Sequence, residues 1–203
     1  MRSWTRTLNL DDAHTLLALA VPGRGIEDWT AASHASLPRL STPRRRELIR
    51  MVRDAYLSWE DGRVEPGLFL THYTGAPASA QVELVSAQWA LTHPLPLLAV
   101  ERLVLPALAE QRPEIALRRV TQLVESVLKT ASPASLVKSR TVLLGALEGV
   151  GALTTSGTGR HRRLFARHGR PLAETRAYLV ARGGPTLPRR LTACAPGTVP
   201  PPA

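Results

Sequence analysis

Proline and the capping residues beside it divide this chain into short helical lengths, and that punctuation constrains the fold more than any other feature. At the first helical position proline costs nothing, because the N–H it lacks would be unpaired there. Deeper in a helix it breaks the ladder. Leu40-Ser-Thr-Pro43 therefore opens a helix expected to reach about Trp59, with Ser41 or Thr42 as cap and Leu48, Ile49, Val52, Tyr56 and Leu57 on one face. Asp61-Gly62 reads as its end. Pro94 opens a helix to about Gln111 that Pro106 should kink, and Pro113 opens another over roughly Glu114 to Lys129. Ser132-Pro133 is a second cap-plus-proline start, for a helix that runs to about Glu148 before Gly149 and Gly151 close it.

The remaining segments obey the same logic. Leu10 to Ala20 is a short apolar helix with Asp11 and Asp12 in its first turn, Val21 to Gly25 is a turn, and Ile26 to Ser36 is a second helix. Glu65 to Ser79 mixes a short helix with loop, and helical periodicity resumes over Ala80 to Leu91. After Ala152 the period changes. Leu153 to Ser156, a Gly-Thr-Gly turn, and Arg160 to Ala166 read as a β-hairpin, with a helix over about Pro171 to Arg182 after it. Beyond Gly183 the Pro-rich stretch is expected to bury no core, and no internal repeat stands out. The expected class is mainly α: an N-terminal helical, helix-turn-helix-like region (1–79), then central helices and a C-terminal winged helix-turn-helix with one β-hairpin (80–182), then a flexible tail (183–203).

Charge narrows the function. Lys and Arg number 26 against 16 Asp and Glu, a net charge of +10 over 203 residues, a field that attracts polyanions. Cys194 is the only cysteine, so a disulfide framework or cysteine-based zinc site is excluded and a reducing cytoplasm is the expected compartment. The most apolar stretch, Leu95 to Ala109, is interrupted by Glu101, Arg102 and two prolines and reads as buried helix, so no membrane is expected. The six histidines lack metal-ligand spacing, and no phosphate-binding loop or nucleophile elbow is present. Neither metal, cofactor nor catalysis is expected.

Two basic clusters carry the functional reading. In the helix from Pro133, Leu136, Val137, Leu143, Leu144 and Leu147 are expected to face the core. Ser135, Lys138, Val142 and Gly145 then face out, flanked by Ser139 and Thr141, a set small enough for a nucleic-acid groove. Arg140 falls on the apolar side, its guanidinium free to reach either a carboxylate or a phosphate. Arg160, His161, Arg162, Arg163, Arg167, His168 and Arg170 crowd the hairpin and the short segment beyond its second strand, with no acidic residue between Glu148 and Glu174. A solvated face usually mixes signs. The second cluster is Arg44, Arg45, Arg46, Arg50 and Arg53 on the helix after Pro43, where no wing is read to succeed the helix and a solvated or protein-binding face is a competing account.

Three stretches resemble the BrxA family of BREX phage-resistance systems. Gly25-Ile-Glu-Asp-Trp-Thr through Leu40-Ser-Thr-Pro-Arg-Arg-Arg-Glu-Leu resembles that family's N-terminal helix-turn-helix-like segment. Ala87-Gln-Trp-Ala-Leu through Glu101-Arg-Leu-Val-Leu-Pro resembles its central helices. Ser132-Pro-Ala-Ser-Leu-Val-Lys-Ser-Arg140 through Leu153 resembles its winged helix, with Arg140 where the family pattern has an arginine. The loop at Glu65 to Ser79 and the Pro-rich end depart from it. The resemblance implies a small non-catalytic component that binds double-stranded DNA beside a methyltransferase and ATPases. A winged-helix transcriptional repressor and a protein-interaction subunit that never touches DNA are the alternatives.

Overall fold

The computed structural model describes residues 10–157 and 163–193, and the chain in it is mainly helical with two small sheets. The first three helices are α1 (Leu10–Ala18), α2 (Ile26–Ser36) and α3 (Thr42–Tyr56), the last with Pro43 in its first turn. α3 ends three residues before the expected Trp59, and a hairpin comes next: β1 (Ser58–Glu60) pairs antiparallel with β2 (Arg63–Glu65). Asp61-Gly62 is its turn rather than a helix stop. Both residues have positive φ, 47° and 72°, as a two-residue hairpin connection with the right twist demands. β2 also pairs on its other side with the chain entering α2. Gly23 N–H donates to Val64 O, Val64 N–H to Arg24 O, and Ile26 N–H to Gly62 O, each at 2.8 Å.

The middle of the chain is α4 (Leu68–Thr74), α5 (Ala78–Leu91) and the bent pair α6 (Pro94–Ala99) and α7 (Leu105–Ala109). The expected kink at Pro106 takes the form of a π-helical turn over Val100–Val104, where Leu105 N–H reaches back five residues to Val100 O. A widened turn relieves the crowding a proline ring imposes on the preceding carbonyls, so the helix continues through it. No single helix among the described residues is long and apolar enough to cross a membrane.

The expected helix over Glu114 to Lys129 is corrected at its start. Glu114–Ile115 is a strand, β3, and the helix α8 spans Leu117–Val127. Ile115 is 2% exposed against Leu164, and a two-residue strand whose pairing is entirely long-range leaves no periodic trace in sequence. α9 covers Pro133–Gly149 as expected, with Ser132 Oγ accepting from the Ser135 N–H. β4 (Leu153–Ser156) and β5 (Arg163–Ala166) form the expected hairpin, and β3 joins β5 on its free edge, giving the order β3-β5-β4. The hairpin's turn residues 158–162 lie outside the described residues.

The C-terminal region departs from expectation. α10 (Ala173–Gly183) leads into α11 (Leu187–Thr192), in the stretch expected to bury nothing. Leu187 and Leu191, four residues apart, are buried against α10 and the α6 region, and Arg190 pairs with Glu101. Residues 194–203 lie outside the described set. α10 is tied to α5 by Glu83, whose Oε2 accepts from Leu172 N–H at 2.9 Å and Thr175 Oγ1 at 3.0 Å. One cluster of buried side chains runs from Ala13 to Ala193, and α5 packs against α1, α3, α4, α9 and α10.

A topology repeats where no sequence repeat is visible. Extended segment, helix, helix and hairpin recur in one order, first as 23–26, α2, α3, β1 and β2, then as β3, α8, α9, β4 and β5. In both, the leading segment pairs with the second hairpin strand.

Candidate nucleic-acid interface

α9 is held against α8 and α5 by Leu143, Leu144, Ala146 and Leu147, all buried. Its outward stripe differs from the one read in sequence. Ser139 and Val142 are 0% and 4% exposed, while Val137 is 53% exposed. The face that meets solvent is Ala134, Val137, Lys138, Thr141 and Gly145, with Ser135 half-buried beside the cap, where Ser132 Oγ donates to its hydroxyl at 3.0 Å. The rotation has a packing cause. Small Ser139 lets α9 approach its neighbours closely, and bulky Val137 does not. Lys138 is the one long cation on that stripe among the described residues.

Arg140 turns toward α8, its Nη1 donating to Thr121 Oγ1 at 3.2 Å. Together with Thr121, Val124, Glu125, Pro133, Leu136 and Val137 it lines a small cleft between the two helices. Its stem packs and its head finds a neutral oxygen, so the apolar position is reconciled with the charge without placing it on the outer stripe.

On the hairpin, Arg163 is engaged. Its Nε and Nη2 make a two-point contact with both carboxylate oxygens of Glu114, at 2.9 and 2.6 Å, and its guanidinium lies 5.4 Å from the Phe165 ring centre. The strand register explains the meeting: Arg163 and Phe165 share a face, and Glu114 lies opposite Phe165. Arg163 holds the Glu114 carboxyl below its usual pKa, first by the hydrogen bond and then by charge. A lowered carboxyl pKa lends stability above the unfolded value, and that share is lost as pH falls through the folded one. The pair therefore opens on acidification. Arg167 is exposed, with Nη1 on Thr154 Oγ1 at 3.2 Å. Arg160, His161 and Arg162 lie outside the described residues.

The base of the hairpin is tightly built. Gly169 N–H donates to Thr192 O at 2.8 Å, and His168 Nδ1 lies 2.8 Å from Ala193 O, so the segment after β5 is stitched to the end of α11. A Cβ at Gly169 would lie 2.4 Å from Thr192 O. Gly169→Ala is therefore expected to cost about 1–3 kcal/mol by forcing that backbone apart. Chemical denaturation measures it, and an unchanged midpoint would show that the strap yields freely.

In the N-terminal unit the arginines are less available. Arg44 pairs with Glu47 at 3.1 Å, and Arg45 donates to His34 O at 3.1 Å and Thr42 Oγ1 at 3.3 Å. Arg46 and Arg50 remain exposed on one face of α3. A hairpin does succeed this helix, contrary to the reading that none would, but it carries Glu60, Asp61 and Glu65 against Arg63. Sequence reasoning passed over Arg118 and Arg119, exposed at the start of α8, and Lys129 in the α8–α9 turn. For Arg118 and Arg119 the signal was plain: cations at a helix start, where the dipole repels them, leave room for an anion. Among the described residues no group of three or more His, Cys, Asp or Glu side chains is placed to hold a metal.

No family model matches the chain, and no curated protein does.

Proposed function

We propose that the unit from β3 to β5 is a winged helix-turn-helix that binds double-stranded DNA, with α9 along the major groove and the β4–β5 hairpin as a phosphate-contacting wing. The observation that carries this reading is the order β3-α8-α9-β4-β5 with sheet order β3-β5-β4, joined to a small-residue outer stripe on α9. Lys138 on that stripe, the exposed Arg118, Arg119 and Lys129 on α8 and the turn after it, and a chain free of acidic residues from 149 to 173 supply positive charge, with Glu125 of the α8–α9 cleft as the opposing carboxylate there. The resemblance to the BrxA family makes the role a non-catalytic component of a BREX-type phage-defence system, acting beside a methyltransferase and ATPases in the cytoplasm. The N-terminal unit has the same element order but an acidic hairpin, so Arg46 and Arg50 are its exposed candidates for phosphate contact among the described residues.

Fluorescence titration of a labelled duplex at about 50 and 200 mM salt tests the reading. Six or more phosphate contacts would cost about 10³-fold in affinity across that range. No binding at the lower salt would end it. A second variant refines it. Glu114→Gln frees Arg163 from its carboxylate, and a freed wing cation is expected to raise duplex affinity several-fold. An affinity that stays put or falls would remove Arg163 from the wing's contacts.

A second reading, a protein-interaction subunit, draws support from Val137, an exposed aliphatic side chain beside the α8–α9 cleft. Val137→Asp separates the two. Loss of a co-purifying defence protein with duplex binding intact would favour this second reading.

A further inference from the structure

We propose that the hollow at the base of the β4–β5 hairpin is an anion seat that takes a phosphoryl group, separate from the groove face of α9. It is lined by Gly151, Arg167, His168, Gly169 and Arg170. Three cation-forming side chains thus arise from four consecutive residues, and no carboxylate lines the space. Glu83 of α5, at the start of α10, already accepts from Leu172 N–H and Thr175 Oγ1. Arg167 meets only the neutral Thr154 hydroxyl, and Arg170 has no partner among the described residues.

The backbone is fixed before any ligand arrives. Gly169 is pressed against Thr192 so closely that a side chain there would force the backbone apart, Arg167 N–H donates to Ala152 O at 3.0 Å, and Gly151 N–H donates to Glu148 O. Ala193 O can only accept, so the His168 Nδ1 beside it carries the proton and the ring is pinned. Arg167 and Arg170, brought side by side with no carboxylate lining the space, repel one another in the empty state. A dianion relieves that repulsion, and arginine's planar fork matches phosphoryl oxygens in pairs.

The seat lies beyond the C-terminal end of α9. Lys138 is eleven residues before Gly149, about 17 Å along the helix. It is thus not the contact made by the outer stripe. A phosphoryl group could come from the flanking backbone of a bound duplex or from a free phosphate or phosphomonoester, and the test separates these sources.

The full chain is compared with Arg170→Gln, an exposed change that leaves every described hydrogen bond in place. Thermal unfolding is read in 10 mM inorganic phosphate and in chloride of equal ionic strength. A seat of ~1 mM affinity raises Tm by about 3–6 °C in phosphate, and Arg170→Gln removes the rise. The salt dependence of duplex binding is read in parallel, where loss of one phosphate contact lowers the log–log slope by about one. A phosphate-specific rise with an unchanged slope assigns the seat to a free phosphate. A lowered slope without the rise assigns it to the duplex backbone. Arg170→Gln behaving as the parent in both arms overturns the proposal. Failure of the duplex to bind at all, with the phosphate-specific rise intact, would sink the function proposed above and leave the seat standing.

Discussion

Tyr178→Ala is expected to cost about 3–5 kcal/mol and to lower Tm by roughly 10 °C, as truncation of a fully buried aromatic does. Tyr178 is 1% exposed and stands where α10 meets α4 and α5. Its ring meets Phe69 edge-on at 5.8 Å and His72 at 5.6 Å. Its hydroxyl donates to Gln88 Oε1, and Gln88 Nε2 donates to Ala55 O at the end of α3. One phenol therefore links the last third of the chain to the first. Tyr178→Phe keeps the packing and strands Gln88 Oε1, so about 1–3 kcal/mol is expected from the oxygen alone. Adding Gln88→Leu should recover part of that loss, because no polar side-chain atom of residue 88 is then left unmet. Equal stability of the Phe variant and the parent would show that the network contributes nothing.

The same phenol gives an alkaline signature. Burial raises its pKa to about 12, and Tyr56, buried with its hydroxyl on Val85 O, is raised in the same direction by the same cause. The protonated form is the one the fold holds. The unfolded chain releases these protons near pH 10, so stability falls as pH rises from there toward the folded value. Denaturant midpoints between about pH 9 and 12 should decline accordingly, and the Tyr178→Phe variant should decline less steeply.

What the sequence disclosed and what it hid divide along physical lines. Proline and capping signals are local, and they located the starts of α3, α9 and α6 to within a residue. Long-range pairing leaves no local mark, so β3 passed for the first turn of a helix. The β1–β2 strands, three residues each, were too short for alternation to register, and their Asp-Gly turn read equally well as a helix end. α11 was concealed by composition. Prolines and arginines outweighed Leu187 and Leu191, although those two leucines bind the helix to the core. The face of α9 was misjudged by a small rotation: Val137, expected in the core, is exposed, while Val142, expected outward, and Ser139, expected on its flank, are buried. Serine's small side chain fits a close helix contact, although the Ser139 hydroxyl is buried there without a hydrogen-bond partner among the described residues.

The hairpin offers the larger functional effect. Reversing Arg160, Arg162 and Arg163 to Glu together should lower duplex affinity by at least ~10²-fold at moderate salt and reduce the log–log salt slope by about two to three. The three should not contribute alike. Arg163 already spends its charge on Glu114, so Arg163→Gln alone should move the slope by less than Arg160→Gln or Arg162→Gln. In a Glu114→Gln background that difference should close, because the competitor for Arg163 is gone. Lys138→Gln probes the helix instead. It should weaken binding about equally for all sequences if Lys138 meets phosphate, and unequally if it meets a base edge. A triple reversal that leaves both affinity and salt slope where they were would mean the β4–β5 hairpin does not face the duplex. The topology of β3 to β5 would then stand without its proposed purpose, and the exposed Val137 and its cleft would be the surface left to account for the fold's outward face.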